Sequence, residues 1–301
     1  MAEPFEIWPG PMEGAMSPEF IRAASALQLT TRWMTPFLRI SNNCPRNKIL
    51  TAFLEPFATS GIPVTVQLMG TAPEPIAEAA ARFRVLGVAG INLNCGCPSR
   101  RVTSGGAGGG ILKTPELAAD IVAAIRRRIG LFPLSVKMRT GWENPAEQER
   151  LIPLFVAAGA DRLFIHFRTV CELYAPTPQR EERLCRSVQL ANGVPVIVNG
   201  DINSPDDAFQ LKNITGAAGV MIARGWFRDP RLLRRIAGFP SEPSPEEARL
   251  QLWNAVTNPG FKRNRAIELS ILLWGPSNPF LLSFRREKKV GKEKLSTGDL
   301  T

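Results

Sequence analysis

The residues Asn94–Ser99 read NCGCPS. They place two cysteines one residue apart where an apolar run stops, just ahead of five glycines between residues 105 and 110. A thiol at such a point can act as a nucleophile, a metal ligand or a proton donor. Other polar side chains also stand where short apolar runs end: Gln67, Asn92 and Asn94, then Lys137 and Arg139, then His166 and Arg168. Members of the last three pairs are two apart, so within a regular strand each pair shares a face. Two further run ends, VNGD (198–201) and ARG (223–225), carry a glycine beside a polar group: Asn199, Gly200 and Asp201 in the first, Ala223 and Arg224 in the second. Glycine turns let backbone N–H groups approach an anion closely, and Arg224 adds charge, so two consecutive turns of this kind imply a phosphate-bearing cofactor. His166 is the sole histidine. With no C-x-x-C pair, it would need a distant Cys44, Cys171 or Cys185 beside Cys95 and Cys97 to hold zinc, and no metal is expected.

The elements that carry these residues alternate. PVTVQLMG (63–70), GINLN (90–94), PLSVKMR (133–139), DRLFIHF (161–167), VPVIVNG (194–200) and AGVMIARG (218–225) read as buried strands, short and rich in Val, Ile and Leu. Between them lie helical patterns at 73–87, at 114–130 with Thr114 as N-cap and Pro next, and at 204–213 from a Ser-Pro start. Nearly continuous apolar strands separated by helices mean a parallel sheet covered on both faces. TTRWMTPFLRI (30–40) and IWPGPMEG (7–14) bring the strand count to eight, which predicts an α/β fold, a (β/α)8 TIM barrel over 1–238. An open doubly wound sheet is the alternative, without an early G-x-G-x-x-G to support it. In a barrel the active site lies at the C-terminal strand ends, where the polar residues above are found. After the Pro/Ser/Glu stretch at 238–247, two amphipathic helices without a strand predict a small helical domain at 241–285.

The 301 residues are 44% hydrophobic and 21% charged, enough for a sizeable core. No apolar run reaches membrane-spanning length and the N-terminus lacks a signal-peptide pattern, so no membrane partner is expected. Five cysteines do not make a secreted disulfide framework, and a reducing cytoplasm is the expected compartment. The net charge of +10 favours a polyanionic partner. Lys262, Arg263 and Arg265 cluster in the helical segment, and six further lysines and arginines between 285 and 294 lead into an expected solvated tail, 286–301.

On these residues the chain resembles the tRNA-dihydrouridine synthase family from PMEG (11–14) to ARG (223–225). NCGCPS is similar to that family's N-x-G-C-P signature, and VQLMG, SVKMRTGW, IHFRT, VIVNGD and MIARG follow in its order. NCGCPS and GFKRNRAIELSILLWG are most similar to the branch acting on position 16 of tRNA. The resemblance implies a flavoenzyme that reduces the C5–C6 bond of a tRNA uridine with FMN and NADPH. It makes tRNA the partner, with no protein partner implied, and the helical segment an RNA-recognition domain. It casts Cys97 as the general acid that gives a proton to C5. An ordinary thiol, with pKa about 8.5, is mostly protonated at neutral pH and suits that role. Cys95 would be a small buried residue. By the same resemblance Pro11 and Met12 lie beside the flavin ring, and Gln67, Lys137 and His166 bind its edge. Asn199, Gly200, Asp201, Ala223 and Arg224 hold its ribityl chain and phosphate, and Asn94, Arg139 and Tyr174 orient the uracil. The glycines at 105–110 would let the loop fold near the flipped-out nucleotide.

The sequence departs from the family pattern where Phe167 replaces a glycine in H-G-R-T, a change expected to narrow the site or alter the approach of tRNA. The Asp-Trp after the tyrosine is missing, PGPM stands for A-P-M, and ARG for G-R-G. Two other functions remain open at this point. One is a flavin barrel that reduces a small unsaturated molecule, and the other is a non-catalytic RNA-binding barrel.

Overall fold

Each of the six apolar runs from 63–70 to 218–225 forms a strand largely buried on both faces, and every strand pairing is parallel. A computed structural model describes residues 4–240, 242–257, 261–278 and 280–281; the expected tail, 286–301, lies outside the described residues. The strands are β1 (Glu6–Pro9), β2 (Trp33–Met34), β3 (Leu38–Arg39), β4 (Val64–Met69), β5 (Gly90–Cys95), β6 (Leu134–Arg139), β7 (Arg162–His166), β8 (Val196–Asn199) and β9 (Gly219–Ile222). They run in the order β1-β9-β8-β7-β6-β5-β4-β2, with β3 also on β4, and β1 comes alongside β2. This is a (β/α)8 barrel, not an open sheet.

Nine strands make eight staves because the stretch 30–40, expected as one strand, is two. β2 pairs the lower half of β4 and β3 its upper half, with Trp33 beside Val64 and Leu38 beside Leu68. Pro36 lies between them and has no N–H to give the ladder. The Thr35 side chain fills in: its Oγ1 accepts the Gln67 N–H at 3.0 Å while its own N–H goes to the Thr65 carbonyl at 3.0 Å. The ninth strand is also shorter than expected. It stops at Ile222, and Arg224–Arg228 turns into a short helix.

The helices begin much as their sequences suggest. Ser204 and Ser244 form capping boxes with Asp207 and Glu247, satisfying N–H groups that a helix start leaves open. Thr114 does not cap the helix Pro115–Ile129 as expected; its hydroxyl donates instead to the Ile111 carbonyl at 3.2 Å. Among the described residues, two longer helices follow the barrel. Pro245–Val256 packs on helix Pro18–Ala26, and Arg263–Trp274 packs on Arg224–Arg228. Leu252, Trp253, Val256, Leu269 and Leu273 join the same core as the barrel's outer face. Among the described residues no helix is long and apolar enough to cross a membrane.

The barrel interior is two-sided. Trp8, Met34, Phe164, Ile197 and Met221 form an apolar cluster, with Trp8 and Phe164 edge to face at 5.1 Å. From β4, β5 and β6 the facing side is polar: Gln67, Asn92 and Ser135, all buried. Buried amides are expensive unless bonded, so their partners must be found inside the barrel.

Candidate active site

A cavity of about 430 Å³ opens at the C-terminal strand ends. Its wall brings together the fourteen residues to which the resemblance gives a role: Cys97, Asn94, Arg139 and Tyr174; Pro11, Met12, Gln67, Lys137 and His166; Asn199, Gly200, Asp201, Ala223 and Arg224. Two strand-end residues expected at the mouth are not in the wall. Asn92 faces inward but one layer lower, and Arg168 leaves the strand direction and turns aside to Asp201 and the Ala175 carbonyl.

Cys97 is held by its backbone. The Asn94 Oδ1 accepts from the N–H groups of Gly96 and Cys97, each at 3.0 Å. From behind, the Gly109 N–H donates to the Cys97 carbonyl at 2.9 Å. The glycine-rich segment, expected to let the loop fold near the nucleotide, lies behind the cysteine turn and outside the cavity wall. Residues Gly108–Lys113 form a buried 3-10 turn, and a Cβ on Gly109 would stand 2.6 Å from Val170 Cγ2 and 3.0 Å from the Cys97 carbonyl oxygen. These glycines let a backbone lie directly against the cysteine turn. Cys95, one strand position earlier, is fully buried, and burial pushes its thiol up and out of reach of acid–base work.

The cavity floor is cationic. Burial, then the neighbouring Arg139, pushes the Lys137 ammonium down to about 8, while Cys97 pulls the other way. Arg139 is almost wholly buried, which lowers its pKa; it donates from Nε to the Gly96 carbonyl at 3.2 Å and from Nη1 to the carbonyls of Thr169 and Leu173 at 2.7 Å each. It thereby ties the cysteine turn to the loop that carries Tyr174. His166 is held well below its ordinary value, first by burial and then by the charges of Arg139, Lys137, Arg168 and Arg224. Its Nδ1 accepts the Arg168 N–H at 3.2 Å, so the neutral ring carries its proton on Nε2.

At the other end, Asp201 receives Arg168 Nη2 at 2.6 Å and Arg224 Nη2 at 2.8 Å. Burial raises the Asp201 pKa, but the Arg168 hydrogen bond and the charges of Arg168, Arg224 and Arg180 outweigh it and hold the carboxyl below the usual range. The exposed Tyr174 ring stands beside two guanidinium groups, Arg224 at 4.8 Å and Arg139 at 5.4 Å.

Phe167 does not narrow the cavity. It is buried outside the wall, stacked on His166 with ring centres 5.2 Å apart and lying under the Arg168 guanidinium at 4.4 Å. Its consequence is for Gly200, which has φ +120° and where a Cβ would stand 2.6 Å from Phe167 Cε1. Gly200→Ala is expected to cost about 3 kcal/mol or more, from the strained backbone and the clash together. Chemical denaturation checks it, and adding Phe167→Gly should recover only the clash.

Some wall residues went unnoticed in the sequence. Arg228 stands one helical turn after Arg224, a spacing that would have revealed it had the ARG turn been read as a helix start. Glu13, whose carboxyl is raised by burial, follows Met12 directly. Phe37 follows the Pro36 break and had no signal beyond it.

A sequence-family model described as dihydrouridine synthase (Dus) matches residues 9–257. The chain is 31% identical over 229 residues to a tRNA-dihydrouridine(16) synthase of Vibrio parahaemolyticus, covering 74% of this chain and 71% of that protein. It is 33% identical over 244 residues to one of Aquipseudomonas alcaligenes, covering 79% and 76%. Among solved structures, an old yellow enzyme homologue from Zymomonas mobilis matches with TM-score 0.56 at 12% identity, over 79% of this chain and 89% of that one. The old yellow enzyme from Trypanosoma cruzi matches with TM-score 0.57 at 10% identity, over 84% and 93%. At such identities these two carry the barrel fold alone.

Proposed function

The chain belongs to the dihydrouridine synthase family, and from that premise we propose that it reduces the C5–C6 bond of a uridine in tRNA, at position 16, with FMN as cofactor and NADPH as reductant. The observation that carries this reading is the single cavity that joins Cys97 to a cationic floor and to the two glycine turns of β8 and β9.

The residues present suit FMN. Gln67, Lys137 and His166 offer polar groups along one side, and Pro11 and Met12 offer an apolar one. The turn Gly200–Asp201 and the pair Ala223–Arg224 stand where a phosphate would be received, and a volume of about 430 Å³ is that of a small-molecule site. When bound and reduced, the flavin supplies a hydride for uracil C6. The protein does the rest. Cys97 gives its proton to C5, the Lys137 ammonium and the His166 Nε2–H stabilise negative charge on the floor, and Asn94, Arg139 and Tyr174 hold the base. A base in folded RNA reaches such a cavity only if it is extruded from its stack.

The helices 245–256 and 263–274 suit RNA recognition. The second one flanks the mouth: a Cβ on Gly14, next to the cavity loop, would lie 3.7 Å from Glu268 Oε2. Its start presents Lys262 and Arg265 to solvent, and backbone phosphates are the natural partners of such charges.

Mapping dihydrouridine by mass spectrometry in tRNA from cells with and without this protein tests the reading, and an unchanged tRNA would end it. A purified protein without a flavin absorbance band would end the cofactor part. Arg224→Ala is expected to weaken FMN about ten- to a hundred-fold, the worth of a charge-assisted phosphate contact. Flavin-fluorescence titration of the stripped protein measures this, and full flavin retention would place the phosphate elsewhere.

A further inference from the structure

A line of buried side chains crosses three strands beneath the cavity. Ser135 Oγ donates to the Ile91 carbonyl at 3.2 Å, which leaves its oxygen to accept, and Asn92 Nδ2 donates to it at 2.9 Å. Asn92 Oδ1 accepts from Gln67 Nε2 at 2.8 Å, and Gln67 Oε1 accepts from Asn94 Nδ2 at 2.8 Å. Asn94 Oδ1 then receives the N–H groups of Gly96 and Cys97. All four side chains are buried, from 0% exposed for Asn92 to 7% for Asn94.

The direction of this chain is fixed at both ends. At the bottom a hydroxyl turned to a carbonyl offers only an acceptor. At the top two backbone N–H groups demand one. If any amide between them flips, two NH2 groups or two carbonyls meet in a dry interior, where an unmade hydrogen bond is at its most costly. The flip must therefore pass along the whole line or not occur. Two of the four, Gln67 and Asn94, line the cavity, while Asn92 and Ser135 lie below it.

We infer that Asn92 and Ser135 are positioning residues that set the orientation of the Gln67 and Asn94 amides and, through Asn94, the placement of the Cys97 turn. The inference rests on the synthase reading for its effect on turnover, but not for its effect on the cysteine. Asn92 and Ser135 touch neither substrate nor cofactor. Together with the two N–H groups above, they keep the Asn94 oxygen on the cysteine turn and leave its second Nδ2 hydrogen for an acceptor. That is the correct polarity for a uracil carbonyl and the wrong one for the amino group of cytosine.

The test is the rate at which iodoacetamide alkylates Cys97 relative to the exposed Cys171 in the same purified full-length protein, read by peptide mass spectrometry. Asn92→Leu removes the acceptor from Gln67. It is expected to raise the Cys97/Cys171 ratio about ten-fold and to lower turnover on tRNA about ten-fold or more, with flavin retained. Asn92→Asp, kept as the neutral acid by its dry surroundings, still accepts from Gln67 with one oxygen and gives its proton to Ser135 Oγ with the other, and is expected to stay within about three-fold of the parent in both readouts. An unchanged ratio in folded Asn92→Leu, or an Asp variant as impaired as the Leu variant, overturns the inference. Should Asn92→Leu fail to fold, Ser135→Ala replaces it. A rise of about three-fold in the ratio is expected, and none overturns the inference. If the parent protein makes no dihydrouridine, the synthase reading fails and the alkylation ratio still decides this one.

Discussion

Cys97→Ala is expected to keep its flavin and lose about 10²- to 10³-fold in dihydrouridine formation, the usual worth of a positioned general acid. The substitution is clean because the structure holds this residue by its backbone. The bonds from its N–H to Asn94 and from Gly109 to its carbonyl do not involve the sulfur, so alanine keeps the turn. The cavity floor, where Lys137 and His166 stand, is untouched, and cofactor binding should be unchanged. Cys97→Ser separates acid strength from shape. A hydroxyl fills the same space but gives up its proton far less readily, so serine should resemble alanine in turnover. Full rates in the alanine variant on unmodified tRNA would remove Cys97 from the chemistry. Full rates in the serine variant alone would mean that Cys97 acts by shape.

Most of the barrel was legible because parallel strands buried on both faces read as unbroken apolar runs, and because a barrel places its site where those runs end. That is why Gln67, Lys137, His166 and Asn199 could be named and why they meet. One group of misreadings has a plain cause: alternation tells which face a residue takes only while the chain stays in a ladder. β7 ends at His166. Beyond it, Phe167 and Arg168 no longer follow the alternation, and Arg168 went to Asp201 while Phe167 settled under Gly200. Asn92 had the correct face, but alternation says nothing about depth, so it lies below the cavity and not in its wall. The stretch 30–40 hid its break because Pro36 interrupts a pattern that stays apolar on both sides. The ARG turn hid a helix start because glycine marks turns and helix beginnings alike.

The depth of Lys137 leads to the second large effect, in which stability and activity move in opposite directions. Its ammonium titrates near 8 in the folded chain against an ordinary 10.5. Between those values the unfolded chain holds a proton on this lysine that the folded chain does not. Stability from this group therefore rises with pH across that window, and the full penalty applies below about 8. The gap amounts to about 3 kcal/mol at neutral pH as an upper figure, since Lys137 is only half-buried in the cavity wall and water there screens its charge. Lys137→Met keeps the length and removes the charge. In flavin-free protein it should gain about 1–3 kcal/mol at pH 7 and lose that advantage by pH 10.5. The difference between parent and variant isolates the lysine from the other groups that titrate in the same range. The same variant should lose about 10²-fold or more in turnover, since the floor would no longer offer the Lys137 cation to charge arriving on the ring. Denaturation curves at pH 7 and 10, taken beside turnover, test both halves. A variant less stable than the parent at pH 7 would show that the ammonium is held by its surroundings and not merely tolerated, and a fully active one would remove Lys137 from the reaction.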